Sequence, residues 1–188
     1  MAGPEIVRRN FRQYDKDDGQ AGIIAPTQNG NETLNLTMVA STAWFSRFTV
    51  SRPMTITLIS FGVSTAAGSD DACDVGIYTP SGADLTRVVS AGATIGKLNA
   101  TGIKTVTIAA TTLLPGQVYY AGFSCGTITT TAAVLGGATF GASNYNAMFG
   151  TSVPQLIFAT KATSHPLPAS VTAPTTVATS MRLGIRES

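Results

Sequence analysis

From Leu34 onward, hydrophobic and polar residues alternate with a period of two rather than 3.6. Such alternation, broken by turn residues about every eight to twelve positions, is typical of antiparallel strands that pack one face on a core. Strands are predicted near residues 34–40, 42–50, 54–64, 72–79, 85–90, 103–109, 117–125, 155–160 and 179–186. The pattern predicts an all-β fold, an antiparallel, jelly-roll-like β-sandwich over residues 34–186 that carries an extended N-terminal arm.

Within the strand predicted at 54–64, the apolar residues change parity. The first set is Met54, Ile56 and Leu58, and the second is Ile59, Phe61 and Val63. The change indicates either a β-bulge near Leu58 or a strand covered on both faces, and we favour the bulge.

The C-terminal region combines a proline-rich connection with a regular last strand. Residues 161–178 contain three prolines among Ser, Thr and Ala, so they cannot form a central strand. They are predicted to carry the last strand back to the sandwich or across to another subunit. That strand should close the sheet, with Met181, Leu183 and Ile185 inward and Arg182 and Arg186 outward.

Residues 1–33 differ from the rest of the chain and form the predicted arm. Eight of the first 18 residues are charged, and a Gly-, Asn- and Gln-rich stretch follows. Val7, Phe11 and Tyr14 are spaced i, i+4 and i+7, as on one face of a short helix. This stripe predicts an element that docks on a partner, and the alternative is an ordinary frayed terminus.

Two stretches of the chain carry a family resemblance. Residues 113–123, LLPGQVYYAGF, place a Pro-Gly turn before an aromatic strand, and residues 75–85, VGIYTPSGADL, form a strand, a Ser-Gly turn and a return strand. Over residues 40–126 this order of strands and turns resembles the β-sandwich domains of tailed-bacteriophage virion proteins, found on capsid surfaces and tail appendages. The resemblance implies a structural or binding role and brings no catalytic residues with it.

Charge is scarce, and its distribution narrows the classes of partner. Charged residues make up 12% of the chain, about half the usual share, and no Asp or Glu occurs in residues 85–186. We interpret this stretch as surface covered by neighbouring subunits, which predicts a homo-oligomer, most simply a trimer. The alternative is that Thr and Ser solvate an exposed sheet. The scattered basic residues do not indicate nucleic-acid binding, and no apolar run reaches the roughly 18 residues of a membrane helix.

Cys73 and Cys125 lie on the apolar parity of their strands, which predicts buried, reduced thiols; a disulfide or a reactive thiol is the alternative. The N-terminus lacks an apolar stretch followed by a small-residue cleavage site. We therefore expect a product that is made and kept in the host cytoplasm and assembled there into a virion.

Residues suited to catalysis or metal binding are few. The single histidine, His165, lies in the proline-rich connection without a nucleophile elbow, so we expect an exposed linker histidine, no catalytic residues and no enzyme. Asp70, Asp71 and Asp74 could offer oxygen ligands to calcium, but a solvated turn is favoured because EF-hand spacing is absent. No cofactor and no metal are predicted.

The expected function is that of a capsid decoration or cement protein bound to other virion proteins, the major capsid protein first among them. Tyr145, Met148 and Phe149, in a Gly-rich stretch, are candidate surface contacts, or else they cap an open end of the sandwich. The alternative function is a glycan- or receptor-binding module of a tail fibre or baseplate. Its candidate stacking platforms are Tyr78, Tyr119, Tyr120 and Tyr145, whereas Trp44 is expected in the core.

Overall fold

The structure is a computed structural model of the 188-residue chain. It describes residues 22–24, 34–69, 71–139, 158–163, 165–177, 179–181 and 183–187. Within them the chain forms strands and loops and no helix, which confirms the predicted all-β class. The strands are β1 (Gly22–Ile24), β2 (Leu34–Thr37), β3 (Thr42–Phe48), β4 (Met54–Thr65), β5 (Cys73–Ser81), β6 (Asp84–Ser90), β7 (Gly102–Leu113), β8 (Tyr119–Cys125), β9 (Val134–Thr139), β10 (Phe158–Ala162), β11 (Ser170–Val171), β12 (Thr175–Thr176), β13 (Thr179–Met181) and β14 (Leu183–Glu187).

The strands form two antiparallel sheets that pack as a sandwich. Sheet A has the order β1-β14-β4-β9-β13, with β2 paired to β9 and β7 paired to β4. Sheet B has the order β11-β6-β5-β8-β3-β10-β12. Phe61 of β4 and Phe123 of β8 meet edge to face between the sheets, with ring centroids 5.2 Å apart. The predicted β-sandwich is therefore confirmed.

Alternation in β7 shows how the sequence divides each strand between core and surface. Val106, Ile108 and Leu113 are buried in the main core, while the residues between them are mostly exposed. On the outer face of sheet A, hydroxyl groups pair across strands: the oxygens of Ser60 and Thr105 are 3.1 Å apart. Hydroxyl pairs of this kind therefore cover part of this face.

The bulge predicted near Leu58 is present. The register between β4 and β7 shifts between Ile56 and Leu58. As a result Ile56 and Ile59 are both fully buried, although they are three residues apart. The extra residue returns the second apolar set of β4 to the core.

Four strands fall outside the predicted set. Strand β1 lies within the range assigned to the arm, β9 lies between the strands predicted at 117–125 and 155–160, and the two-residue strands β11 and β12 lie within the proline-rich connection. In β9 only Val134 and Leu135 are large apolar residues, and two glycines follow. This strand is defined by its backbone pairing with β4, β2 and β13 and by the burial of Leu135. The segment has too few apolar residues for alternation to predict it.

The C-terminal segment closes sheet A, as predicted. Strand β14 lies between β1 and β4, with Leu183 and Ile185 buried and Arg186 exposed. The single strand predicted at 179–186 is divided, because β13 pairs with β9 and β14 pairs with β4. Glu187 forms a bidentate ion pair with Arg52, at 2.7 and 2.9 Å.

Residues 165–177, which we call the strap, cross the outer face of sheet B. In this segment β11 pairs with β6 at one edge of the sheet and β12 pairs with β10 at the other. As predicted, the proline-rich connection forms no central strand and carries the chain back to its final strands.

Candidate functional site

The strap encloses a second hydrophobic core against sheet B. Leu167 and Val171 from the strap pack over the outer faces of β3, β5, β6, β8 and β10. The buried members of this cluster are Ala43, Phe45, Tyr78, Leu85, Tyr120, Ala159, Leu167 and Val171. Strand β8 is buried along its whole length because it has a core on each side.

Three of the four tyrosines considered as sugar platforms are buried in the two cores, and the fourth, Tyr145, lies outside the described residues. Tyr78 and Tyr120 are fully buried in the second core, and Tyr119 is buried in the main core. The Tyr78 hydroxyl donates to the carbonyl of Pro168 in the strap at 2.7 Å, and burial raises the pKa of this phenol. None of the three can stack on a sugar, whereas Trp44 is buried in the main core as expected.

His165 is half-buried, so the expectation of an exposed linker histidine is wrong. Its Nδ1 lies 3.1 Å from the Ser124 hydroxyl, and a Cβ at Gly126 would lie 3.0 Å from its ring. Burial lowers the pKa of His165, and the nearby Asp74 carboxylate opposes that shift. The absence of a side chain at Gly126 allows the ring to lie this close to sheet B.

Ser124, His165 and Asp74 thus come together, although they are widely separated in the sequence. Ser124 is completely buried, so a substrate cannot reach its hydroxyl. Asp74 Oδ2 instead accepts hydrogen bonds from the Ser90 hydroxyl at 2.7 Å and from the Leu167 amide at 2.9 Å. These contacts hold the strap on the sheet.

Arg87 completes the attachment of the strap on the β6 side. Its guanidinium donates to the carbonyl of Leu167, and its backbone amide donates to the carbonyl of Ala169 at 2.9 Å. Farther along, the amide of Ala173 donates to Asp84 at 3.0 Å. The strap is therefore fastened by polar contacts as well as by its apolar side chains.

The acidic residues around the start of β5 have separate structural roles, and the expected solvated turn is wrong because Asp71 and Asp74 are buried. Asp71 is buried and accepts hydrogen bonds from the hydroxyls of Ser69, at 2.7 Å, and Thr129, at 3.0 Å. Asp74 faces the strap, and Asp70 lies outside the described residues. Among the described residues, no group of three acidic, histidine or cysteine side chains is placed to hold a metal ion.

Four loops meet at the end of the sandwich where β5 begins and β8 ends. We call this surface the tip; it comprises residues 38–41, 66–69 with 71–72, 91–101 and 126–133. Backbone hydrogen bonds of 2.7–3.3 Å join the loops to one another and to the adjacent strand ends. The pairs are Met38–Ala133, Ser41–Cys125, Ala67–Leu98, Gly68–Thr131, Cys73–Thr94 and Gly126–Ala72.

The tip exposes large apolar side chains on this bonded framework. Val39 is 55% exposed and Ile95 is 65% exposed. Ile103, just beyond the third loop, is 77% exposed, but it projects from the outer face of sheet A, on the same side of β7 as Thr105. Of the described charged residues in the tip, Asp71 is buried and Lys97 is half-buried. The outward surface is therefore apolar and hydroxyl-rich, with four exposed threonines in residues 126–133.

Sequence reasoning did not find the tip, because it arises where loops from both sheets converge. Its signal was the abundance of Gly, Thr and Ala residues in 91–101 and 126–133. The site residues that were predicted lie outside the described residues and stay predictions. They are Val7, Phe11, Tyr14, Tyr145, Met148 and Phe149.

Neither a scan against protein-family models nor a search of the curated proteins finds a match to this chain. In the described part of the chain, no helix is long and apolar enough to cross a membrane.

Proposed function

We propose that the protein is a non-enzymatic structural component of a tailed-phage virion, a capsid decoration or cement protein that docks through its tip. The observation that carries the proposal is the combination of exposed Val39 and Ile95 with loops fixed by backbone hydrogen bonds. A rigid apolar surface loses little conformational entropy when it binds. Exposed apolar groups among hydroxyl side chains also suit the core of a protein interface, where charged residues are depleted.

The size of this surface favours binding in several copies. Full burial of an aliphatic side chain is worth about 1.5–3 kcal/mol relative to exposure. Two side chains that are already partly buried would supply roughly 2–4 kcal/mol before the costs of association, and about 4 kcal/mol corresponds to millimolar affinity. A single tip would therefore bind weakly. A homo-oligomer, which we propose to be a trimer, would bind through avidity.

In this proposal the partners are other virion proteins, with the major capsid protein as the surface beneath the tip. The arm clamps a neighbouring subunit through Val7, Phe11 and Tyr14, whose helical spacing supports such a contact. The protein assembles in the host cytoplasm and functions in the virion. Many weak contacts, summed over copies, would raise the force that the filled shell tolerates.

The test compares two matched charge substitutions at opposite ends of the sandwich. Ile95→Glu places a carboxylate on the tip, whereas Leu114→Glu places one at the far end, where Leu114 is 46% exposed. Each purified variant is added to capsids that lack the protein, and bound protein is measured after sedimentation. We expect Ile95→Glu to weaken binding more than about tenfold. A tenfold change in affinity corresponds to about 1.4 kcal/mol of binding free energy, and burying an unpaired carboxylate at the interface costs more than that.

Leu114→Glu should bind capsids like the unmodified protein, and both variants should keep its melting temperature. Equal binding by the two variants would contradict docking through the tip. Host surface polysaccharide is incubated with the protein in parallel and assayed for retention and for new reducing ends. Retention without capsid binding would favour the glycan-binding alternative, and new reducing ends would falsify the non-enzymatic proposal.

A further inference from the structure

The two cysteines of the chain face each other across neighbouring strands. Cys73 is the first residue of β5, Cys125 is the last residue of β8, and the two are directly paired in the register. Both thiols are free and fully buried in the main core, as predicted from their parity. Paired residues of an antiparallel ladder project to the same face, so the two side chains are neighbours.

The hydrogen bonds around Cys73 define the type of this pair. Its amide donates to the carbonyl of Thr94 at 2.8 Å, and its carbonyl accepts from the amide of Thr94 at 2.7 Å. Both backbone groups therefore point away from β8, which makes Cys73 and Cys125 a non-hydrogen-bonded pair. Cα atoms in such pairs are about 4.5 Å apart, within the range of about 4.4–6.8 Å found for disulfides.

Burial keeps these thiols reduced while the strands are closed. It raises the pKa of Cys73 to about 12 and that of Cys125 to about 11, and the thiolate is the reactive form. Each cysteine nevertheless occupies the terminal position of its strand. Opening a strand end costs less free energy than unfolding the whole domain. A rare local opening would therefore expose the pair while the sandwich stays folded.

We propose that Cys73 and Cys125 are a latent disulfide site that closes when the folded protein meets a thiol oxidant. Two S–H bonds break and one S–S bond forms. The two electrons and two protons pass to the oxidant, for example a diazene, whose N=N bond is reduced to a hydrazine. The inference rests on strand register alone and is independent of the proposed function.

A closed bond would fix the framework of the tip. Cys73 directly follows the loop that ends at residue 72, and Cys125 directly precedes the loop 126–133. The thiol of Cys125 also donates to the carbonyl of Val39, at 3.5 Å. The bond would close a loop of about 50 residues, and restricting the unfolded chain in this way stabilises the folded state.

The experiment treats the full-length folded protein with diamide and counts thiols after denaturation under non-reducing conditions. We expect two thiols before treatment and none afterwards, a mass lower by two hydrogen atoms, a monomeric chain on a non-reducing gel, and a higher melting temperature that returns to its original value with reductant. Cys73→Ala and Cys125→Ala are the matched controls, because each leaves one cysteine and cannot close the bond.

Three results would overturn the inference. One is that both thiols persist in diamide while a urea-unfolded sample loses them. Another is that oxidation produces chains linked to each other. A melting temperature that rises equally in the single-cysteine variants would show that diamide acts elsewhere, which also contradicts the proposal.

Discussion

Gly122 in β8 leaves space for two aromatic rings on the outer face of sheet B, and Gly122→Ala should destabilise the protein. The rings of Phe45 and Tyr78 meet edge to face over this position, with centroids 5.2 Å apart. A Cβ at residue 122 would lie 3.0 Å from Cε1 of Phe45 and 3.2 Å from Cε2 of Tyr78. Both rings are fully buried, so neither can move without displacing neighbours in the second core.

The expected loss of stability is about 1–3 kcal/mol, the usual cost of overpacking a core. For a chain of this size, about 1 kcal/mol corresponds to roughly 2–4 °C in melting temperature. Gly62→Ala is the matched control, because a Cβ there would meet only Cδ1 of Ile103 at 3.7 Å, an ordinary contact. Restricting the unfolded chain should then make Gly62→Ala neutral or up to about 1 kcal/mol stabilising.

Urea unfolding followed by the fluorescence of Trp44, the single tryptophan, measures both variants. The midpoint should fall for Gly122→Ala with an unchanged slope. Phe45→Leu combined with Gly122→Ala should be more stable than the sum of the two single losses predicts, because the smaller side chain relieves the contact. Equal midpoints for the two alanine variants, or strictly additive losses, would refute the idea of a tightly packed second core.

Three further predictions concern charge, pH and the arm. Glu187→Gln should lower the free energy of unfolding by about 0.5–1 kcal/mol, because it removes the partly exposed ion pair with Arg52. The loss should be smaller in 1 M salt, which screens the ion pair. A loss that does not depend on salt would contradict an electrostatic cause. Because burial lowers the pKa of His165, the unfolded chain binds a proton at a higher pH than the folded chain does. The free energy of unfolding should therefore fall as the pH drops below about 6.5. Urea titrations at pH 7.5, 6.5 and 5.5 should show this fall in the unmodified protein and a smaller one in His165→Asn. The same pH dependence in both proteins would contradict a role for His165. Deletion of residues 1–20 should leave the thermal unfolding transition intact and abolish binding to capsids in the sedimentation assay, and undiminished binding would argue against docking by the arm.

Local patterns in the sequence were sufficient to predict most of the longer strands of the two sheets. Turn residues separate β3 to β8, and each of these strands carries its own alternation or a continuous apolar run. The parity change at Leu58 located the bulge because an inserted residue reverses the alternation of its own strand. Strand β9 lacked such a signal, since two of its six residues are glycines. It is defined by its partners, which a single sequence does not display.

The second core and the tip depend on contacts between distant parts of the chain. Tyr119 and Tyr120 are adjacent and both buried, and two consecutive large apolar residues in a strand do indicate cover on both faces. What supplies the cover was not visible, because Leu167 and Val171 stand alone among prolines and hydroxyl residues. The proximity of His165 to Ser124 likewise follows from the path of the strap, which no local pattern encodes.

The strap also protects the two edges of sheet B from pairing with other molecules. A bare edge strand is a template for pairing with another chain, and natural proteins suppress such pairing with short edge strands and prolines. Here one segment, which contains Pro166, Pro168 and Pro174, occupies both margins of sheet B with strands of two residues each, β11 and β12. The margins of sheet B therefore offer another chain little backbone to pair with. Even at high local concentration, copies of this protein should not join through the edges of that sheet.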